Sequence, residues 1–249
     1  MPERASALFI SDLHLQQSHP RTAAAFFRFL EEHAATADAL YLLGDLFEYW
    51  AGDDDSTLFH QAIIDAIRAV SDAGVAIYWI AGNRDFLVGE RFARAAGLTL
   101  LAEPHVATIG GQRVALVHGD AECTADLGYM TFRAQVRDPQ WQQQFLALPL
   151  AQRKGIIAGL REGSREAHGG KSMIIMDVAP AAIDALHAAT GCDVLIHGHT
   201  HRPALHQAGS RRRYVLPDWE LDAEPPRGGW IAIDGSGAIA RHGLDGAVL

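Results

Sequence analysis

The sequence predicts an α/β layered fold, and three observations carry that expectation. Short apolar runs alternate with amphipathic segments over the first 120 residues. Several of the runs end in an Asp, Asn or His followed or preceded by Gly. Between residues 124 and 177 the strand signal vanishes and helical signal replaces it.

Taken in order, Ala7–Ile10, Ala39–Leu43, Val75–Ile80 and Arg113–Val117 read as buried strands, each short, apolar and bounded by turn residues. Thr22–His33 and Ser56–Asp72 read as helices between them. The second places Phe59, Ile63, Ile67 and Val70 on one face, with Ser56 as N-cap. The preceding Asp53-Asp54-Asp55 reads as a solvated helix start. From Thr124 to Asp177, apolar helical segments such as Gly155–Leu160 and Met173–Met176 are interspersed with Arg133, Arg137, Arg153, Lys154, Arg161, Arg165 and Lys171. This stretch reads as a helical insertion over the sheet. Strands return at Asp193–His197, Arg213–Pro217 and Trp230–Asp234, the last two as antiparallel edge strands. Arg211-Arg212-Arg213 reads as a solvated hairpin turn, with contact to anionic lipid headgroups as the alternative. No repeat or low-complexity linker divides the chain, so the expected organisation is a single domain, 1–249, with an inserted helical lid at 124–177.

Composition bounds the function classes. The chain has 249 residues, 49% hydrophobic and 20% charged, which suits a folded globule rather than a disordered or fibrous chain. Its 21 basic and 30 acidic residues leave a net charge of −9, which argues against coating nucleic acid. The 2 cysteines, Cys123 and Cys192, form no disulfide or metal spacing and suit a reducing compartment. No signal peptide is expected, and no apolar run approaches the roughly 20 residues of a membrane span. A cytoplasmic location follows, with contact to a membrane surface left open.

The 13 histidines are the unusual entry in this composition. Asp12 and His14 follow the first apolar run, Asp45 the second, Asn83 the third and His118 the fourth, while His197, His199 and His201 end the fifth. Ligands bind in the crevice outside the carboxyl ends of strands in open α/β sheets, so these donors are expected along one sheet edge. Hard oxygens mixed with imidazoles suit a pair of divalent ions such as Mn, Fe or Zn better than Mg or Ca. Two such ions can activate a water and clamp phosphoryl oxygens.

Asp12-x-His14, Gly44-Asp45, Gly82-Asn83, His118-Gly119 and Gly198-His199-Thr200-His201, in that order, resemble the calcineurin-like metallophosphoesterase pattern. The resemblance implies a layered β-sheet sandwich flanked by helices. It also implies two divalent metal ions, usually Mn²⁺. One would be held by Asp12, His14, Asp45 and His201. The other would be held by bridging Asp45 with Asn83, His118 and His199. Ser11–Leu15, Gly44–Glu48, Gly82–Leu87 and Gly198–Pro203, with Cys123-Thr124, Asp126, Tyr129, Phe132-Arg133, Ser164, Glu166 and Lys171-Ser172 in the insertion, narrow the likeness. They resemble the branch of lipid A biosynthesis that hydrolyses UDP-2,3-diacylglucosamine to UMP and 2,3-diacylglucosamine 1-phosphate. That branch works peripherally at the cytoplasmic face of the inner membrane.

The substrate contacts so implied are Asn83, Arg84, Asp126, Ser164, His168, Lys171 and His199, with Asn83, Arg84 and His199 at the reacting phosphate. Two positions depart from the pattern: His168 stands where asparagine is common, and Pro217 where glycine is usual.

Many relatives in the wider superfamily carry histidine where this chain has Arg84. Arginine stays protonated and cannot act as a general acid at neutral pH, but it binds phosphate bidentately. A phosphate monoester leaving group, which needs charge stabilisation more than a proton, fits that residue. Two other functions stay open at this stage: a soluble dinuclear phosphodiesterase or nucleotide phosphatase, and a non-catalytic scaffold of the same fold. His197 reads as structural, Asp85 and Asp120 as either orienting groups or turn caps, and Cys123 as a small buried residue.

Overall fold

The computed structural model describes residues 5–168 and 177–249, with only the backbone of residues 5 and 163–168. Strands β1 (Ala5–Ile10), β2 (Ala39–Leu42), β3 (Ala76–Trp79) and β4 (Thr99–Leu100) run parallel to one another in sequence order. On the other side of β1, β10 (Gly229–Asp234) pairs antiparallel, followed by β11 (Ile239–Gly243), which gives the order β11-β10-β1-β2-β3-β4. A second sheet has the order β5-β6-β7-β9-β8. Its strands are β5 (His105–Ile109), β6 (Gln112–Leu116), β7 (Val194–His197), β8 (Ala204–Ala208) and β9 (Arg211–Val215).

Period-two alternation explains how the layers stack. Along β1, Leu8 and Ile10 pack toward helices α1 (Pro20–Glu32), α2 (Leu58–Asp72) and α3 (Glu90–Ala96), meeting Phe26, Phe29, Ile63, Ile67 and Phe92. Ala7 and Phe9 point the other way, into an apolar layer shared with Val114, Leu116, Val194 and Ile196 of the second sheet. The outer face of that sheet is covered by α7 (Pro180–Thr190), through Leu186 against Ala115, Val117 and Leu195. The layers therefore run helix, sheet, sheet, helix. Helices α4 (Leu127–Val136), α5 (Pro139–Leu146) and α6 (Leu150–His168) occupy the stretch between β6 and α7.

Several expectations are corrected. The candidate ligands come from the ends of strands in two facing sheets, not from one sheet edge. Neither late strand is an edge: β9 lies between β7 and β8, and β10 between β1 and β11. Arg211, Arg212 and Arg213 lie in β9 rather than in a solvated turn, and bond to Asp184, Gln112 and His197. The α2 cap is Thr57, whose hydroxyl accepts from the His60 N–H at 3.1 Å, one residue after Ser56. The three aspartates are not a solvated helix start. Asp53 accepts from the backbone of Gly89 and Phe92 at the start of α3, Asp54 pairs with Arg153, and buried Asp55 pairs with Lys154.

Candidate metal centre

All five strands that feed the site are parallel where they adjoin, so their carboxyl ends face the same way. Asp12 and His14 follow β1, Asp45 follows β2, Asn83 follows β3, His118 follows β6, and His199 and His201 follow β7. The loops are laced together: Asp12 N–H donates to Gly44 O at 3.1 Å, His14 N–H to Asp45 O at 3.0 Å, and Gly198 N–H to His118 O at 2.9 Å. Among the described residues, the non-glycine residues with positive φ are Asp12, His14, Asp45, His199 and His201, at 47° to 67°. Left-handed backbone at such residues costs on the order of 1–3 kcal/mol each, and strain of this kind gathers where a site demands it. Two glycines permit the close approach. A Cβ on Gly82 would overlap the Asp45 carboxylate and backbone N, and one on Gly198 would overlap Asp12 and Ser11.

The donors converge in two groups. In the first, His14 Nε2 lies 3.3 Å from His201 Nε2, and His201 Nε2 lies 3.5 Å from Asp12 Oδ1. In the second, Asn83 Oδ1 lies 3.0 Å from His118 Nε2 and 2.9 Å from His199 Nδ1. Asp45 reaches both groups, with Oδ2 at 4.0 Å from His14 Nε2 and Oδ1 at 3.8 Å from His118 Nε2. One donor atom each from Asp12, His14 and His201, and likewise from Asp12, Asp45 and His118, lies within 4.8 Å of the others in its set.

Whether this set fits divalent cations is tested by the atoms left over. Asp12 Oδ2 accepts from Ser11 Oγ at 2.5 Å and from His199 N–H at 2.8 Å, while its Oδ1 is buried without a hydrogen-bond partner. His118 Nδ1 donates to Leu43 O at 2.8 Å, which aims Nε2 inward as a metal-binding imidazole requires. An orphaned buried carboxylate oxygen beside imidazoles whose ring nitrogens face each other is the arrangement a cation relieves. The residues fit.

Charge points the same way. Burial would raise the Asp12 carboxyl, but the imidazoles of His201, His118 and His14 outweigh it and hold the group well below the usual carboxylate range. Burial pulls His118 down, yet Asp45, Asp12, Asp120 and Glu103 overcome it and raise the imidazole to about 9. His199 is driven the other way, to about 3, by burial and by the neighbouring His118.

Groups around the donors hold them in place, and sequence reasoning missed most of these. Glu48 lies 3.2 Å from His14 Nδ1 and pairs with Arg161 of α6. Asp218 lies 3.6 Å from His201 Nδ1 and binds Arg227. Glu103 accepts from His118 N–H at 2.5 Å. Only Glu48 carried a signal, as a carboxylate closing the Gly44–Glu48 run. Asp85 resolves as a backbone clamp: its carboxylate accepts from the N–H groups of Gly82, Asp45, Leu46 and Phe47. Asp120 binds Tyr129 and Arg133 rather than an imidazole. His197 is buried and bonds to Gly198 O and Arg213, away from both donor groups.

The site opens into a cavity of about 830 Å³. Its lining combines His14, Asp45, Asn83, Arg84 and His199 with the apolar side chains of Trp50, Phe86, Phe132, Trp141, Phe145 and Leu160. Arg84 donates its N–H to Asp45 Oδ1 at 2.8 Å, and its side chain lines the cavity. Asp126 caps α4 through the Tyr129 N–H and also lines it. Ser164 and His168 fall on α6 where only the backbone is described, and Lys171 lies outside the described residues.

Fold and donor set together define a metal-dependent phosphoesterase. The chain belongs to the calcineurin-like phosphoesterase family, which matches residues 5–203. It is 54% identical over 221 residues to the UDP-2,3-diacylglucosamine hydrolase of Klebsiella pneumoniae subsp. pneumoniae, covering 87% of this chain and 92% of that one. It is 50% identical over 236 residues to the protein of the same name from Aromatoleum aromaticum, covering 93% and 94%. The Vacuolar Protein Sorting 29 structure from Cryptosporidium parvum shares the fold at 13% identity and a TM-score of 0.51, over 98% of this chain and 93% of that one.

Proposed function

We propose that this chain hydrolyses the diphosphate of UDP-2,3-diacylglucosamine at the α-phosphorus, releasing UMP and 2,3-diacylglucosamine 1-phosphate, the reaction that serves lipid A biosynthesis. The observation that carries the reading is a single cavity whose lining joins the candidate metal-binding side chains and Arg84 to aromatic and aliphatic walls. A diphosphate joined to acyl chains matches both kinds of lining.

Asp12, His14, Asp45 and His201 would hold one divalent ion, and Asp45, Asn83, His118 and His199 the other. Mn²⁺ suits this mixed oxygen and imidazole set. When bound, the ions supply a water acidic enough to attack at neutral pH and neutralise charge on the phosphoryl oxygens. The Asn83 amide and the His199 ring orient the α-phosphate. Arg84, fixed at its backbone by Asp45, presents a permanently charged fork to the leaving sugar phosphate. Asp126, Ser164, His168 and Lys171 contact the rest of the headgroup.

The segment 124–177 acts as a lid over a single domain, and its apolar side holds the acyl chains. Exposed Leu127, Leu146 and Ile156 on α4 to α6 support peripheral contact with the cytoplasmic face of the inner membrane. Among the described residues, no helix is long and apolar enough to cross a membrane.

The test is product formation with Mn²⁺ from UDP-2,3-diacylglucosamine and from UDP-N-acetylglucosamine, using wild type, Asp45→Asn and Trp141→Ala. UMP from the acylated substrate is expected, with loss in Asp45→Asn and a raised KM in Trp141→Ala. Equal kcat/KM for the two substrates would point instead to a soluble nucleotide phosphodiesterase.

A further inference from the structure

Helix α4 presents two adjoining faces to two different parts of the molecule. Tyr129, Arg133 and Arg137 follow one another at four-residue spacing, so they share a face, and that face meets the loops of the second donor group. The Tyr129 hydroxyl donates to Asp120 at 2.6 Å, and its ring stacks at 6.1 Å and 28° on His199. Arg133 donates to Asp120 at 2.9 Å and to Glu103 at 3.2 Å, and Glu103 in turn holds the His118 N–H. Arg137 donates to the carbonyls of Ala81 and Gly82 at 3.1 and 3.0 Å, immediately before Asn83. The neighbouring face, Phe132 and Val136, lines the cavity.

The first donor group is supported differently. Beyond the His199 N–H that donates to Asp12 Oδ2, Asp12, His14 and His201 are held by the side chains of Ser11, Glu48 and Asp218, none of which touches α4 through a hydrogen bond or ion pair among the described residues.

We infer that α4 is a built part of the second metal half-site, with Tyr129, Arg133 and Arg137 as positioning residues that fix His199, His118 and Asn83. The same helix that receives the acyl chain thereby sets the geometry of one of the two ions. This rests on the dinuclear reading above. Its consequence is selectivity: loosening α4 weakens one ion and spares the other.

The experiment is a titration of chelator-treated protein with Mn²⁺, following free Mn²⁺ by electron paramagnetic resonance, for wild type, Arg133→Met and Arg137→Met. Wild type is expected to bind two ions, and each variant one at unchanged affinity and a second weakened at least about tenfold, the range seen when supporting groups of a metal site are removed. A merely structural role would weaken both ions alike. Two ions at wild-type affinity in both variants would overturn the inference. Should the methionine variants fail to fold, the isosteric Tyr129→Phe decides: a selective loss for the second ion supports the inference, and unchanged binding overturns it. Fewer than two ions in wild type would sink the dinuclear reading itself, and this inference with it.

Discussion

Glu122 follows His118 by four residues and shares a cluster of like charges with Glu103 and Asp120, and its removal has a calculable effect. The carboxyl is buried, its Oε2 has no hydrogen-bond partner, and burial together with Glu103 and Asp120 raises it from 4.5 to about 7. Between those two values the folded protein holds a proton that the unfolded chain has released. Stability therefore falls as pH rises through that window, and the loss is complete above about pH 7. At about 1.4 kcal/mol per pH unit, the shift sets a ceiling of about 3 kcal/mol, and about 1–3 kcal/mol is the expected range. Glu122→Gln removes the titration. In urea unfolding with chelator present, the variant is expected to exceed wild type by that amount near pH 8 and to match it near pH 5. An equal difference at both pH values, or none at pH 8, would refute the reasoning.

Three further outcomes follow from named contacts. Gly82→Ala places a methyl group into the Asp45 carboxylate and is expected to reduce turnover on the order of 100-fold with a retained far-UV spectrum, as a misplaced reacting group does. Arg84→His is expected to lose roughly 10- to 100-fold on the diphosphate, the value of a charge-assisted bond, while gaining on alkyl phosphodiesters that need a proton. If wild type already cleaves alkyl esters as fast as diphosphates, the assigned role of Arg84 fails. Thr57→Ala is expected to cost about 1 kcal/mol in urea unfolding and Ser56→Ala almost nothing, because only the Thr57 hydroxyl accepts from the helix.

The strands that carry the site were legible because each is a short apolar run closed by a polar donor, with glycine beside that donor in all but β1. Runs without that contrast were not. The two-residue β4 is too short to show a period, and β8, Ala204–Ala208, is mostly exposed and, among the described residues, pairs with β9 alone. The arginines of β9 read as a turn because their partners, Asp184, Gln112 and His197, come from elsewhere in the chain. The division into two sheets depends on β10 returning to β1 across more than 200 residues, which no local periodicity records. The candidate ligands were visible as residue types in order. Their supports were not: Glu103 carries no motif, Asp218 follows Pro217 in a run that drew notice only for its proline, and Arg133 and Arg137 stood among the other basic residues of the insertion until α4 brought them onto the loops of His118 and Asn83.

Attack is expected at the α-phosphorus of an acylated UDP-sugar. Turnover of UDP-2,3-diacylglucosamine with Mn²⁺ in ¹⁸O-labelled water, followed by mass spectrometry of both products, tests it most directly. The label is expected in UMP and absent from 2,3-diacylglucosamine 1-phosphate. Label in the sugar phosphate, or no UMP at all, would contradict it.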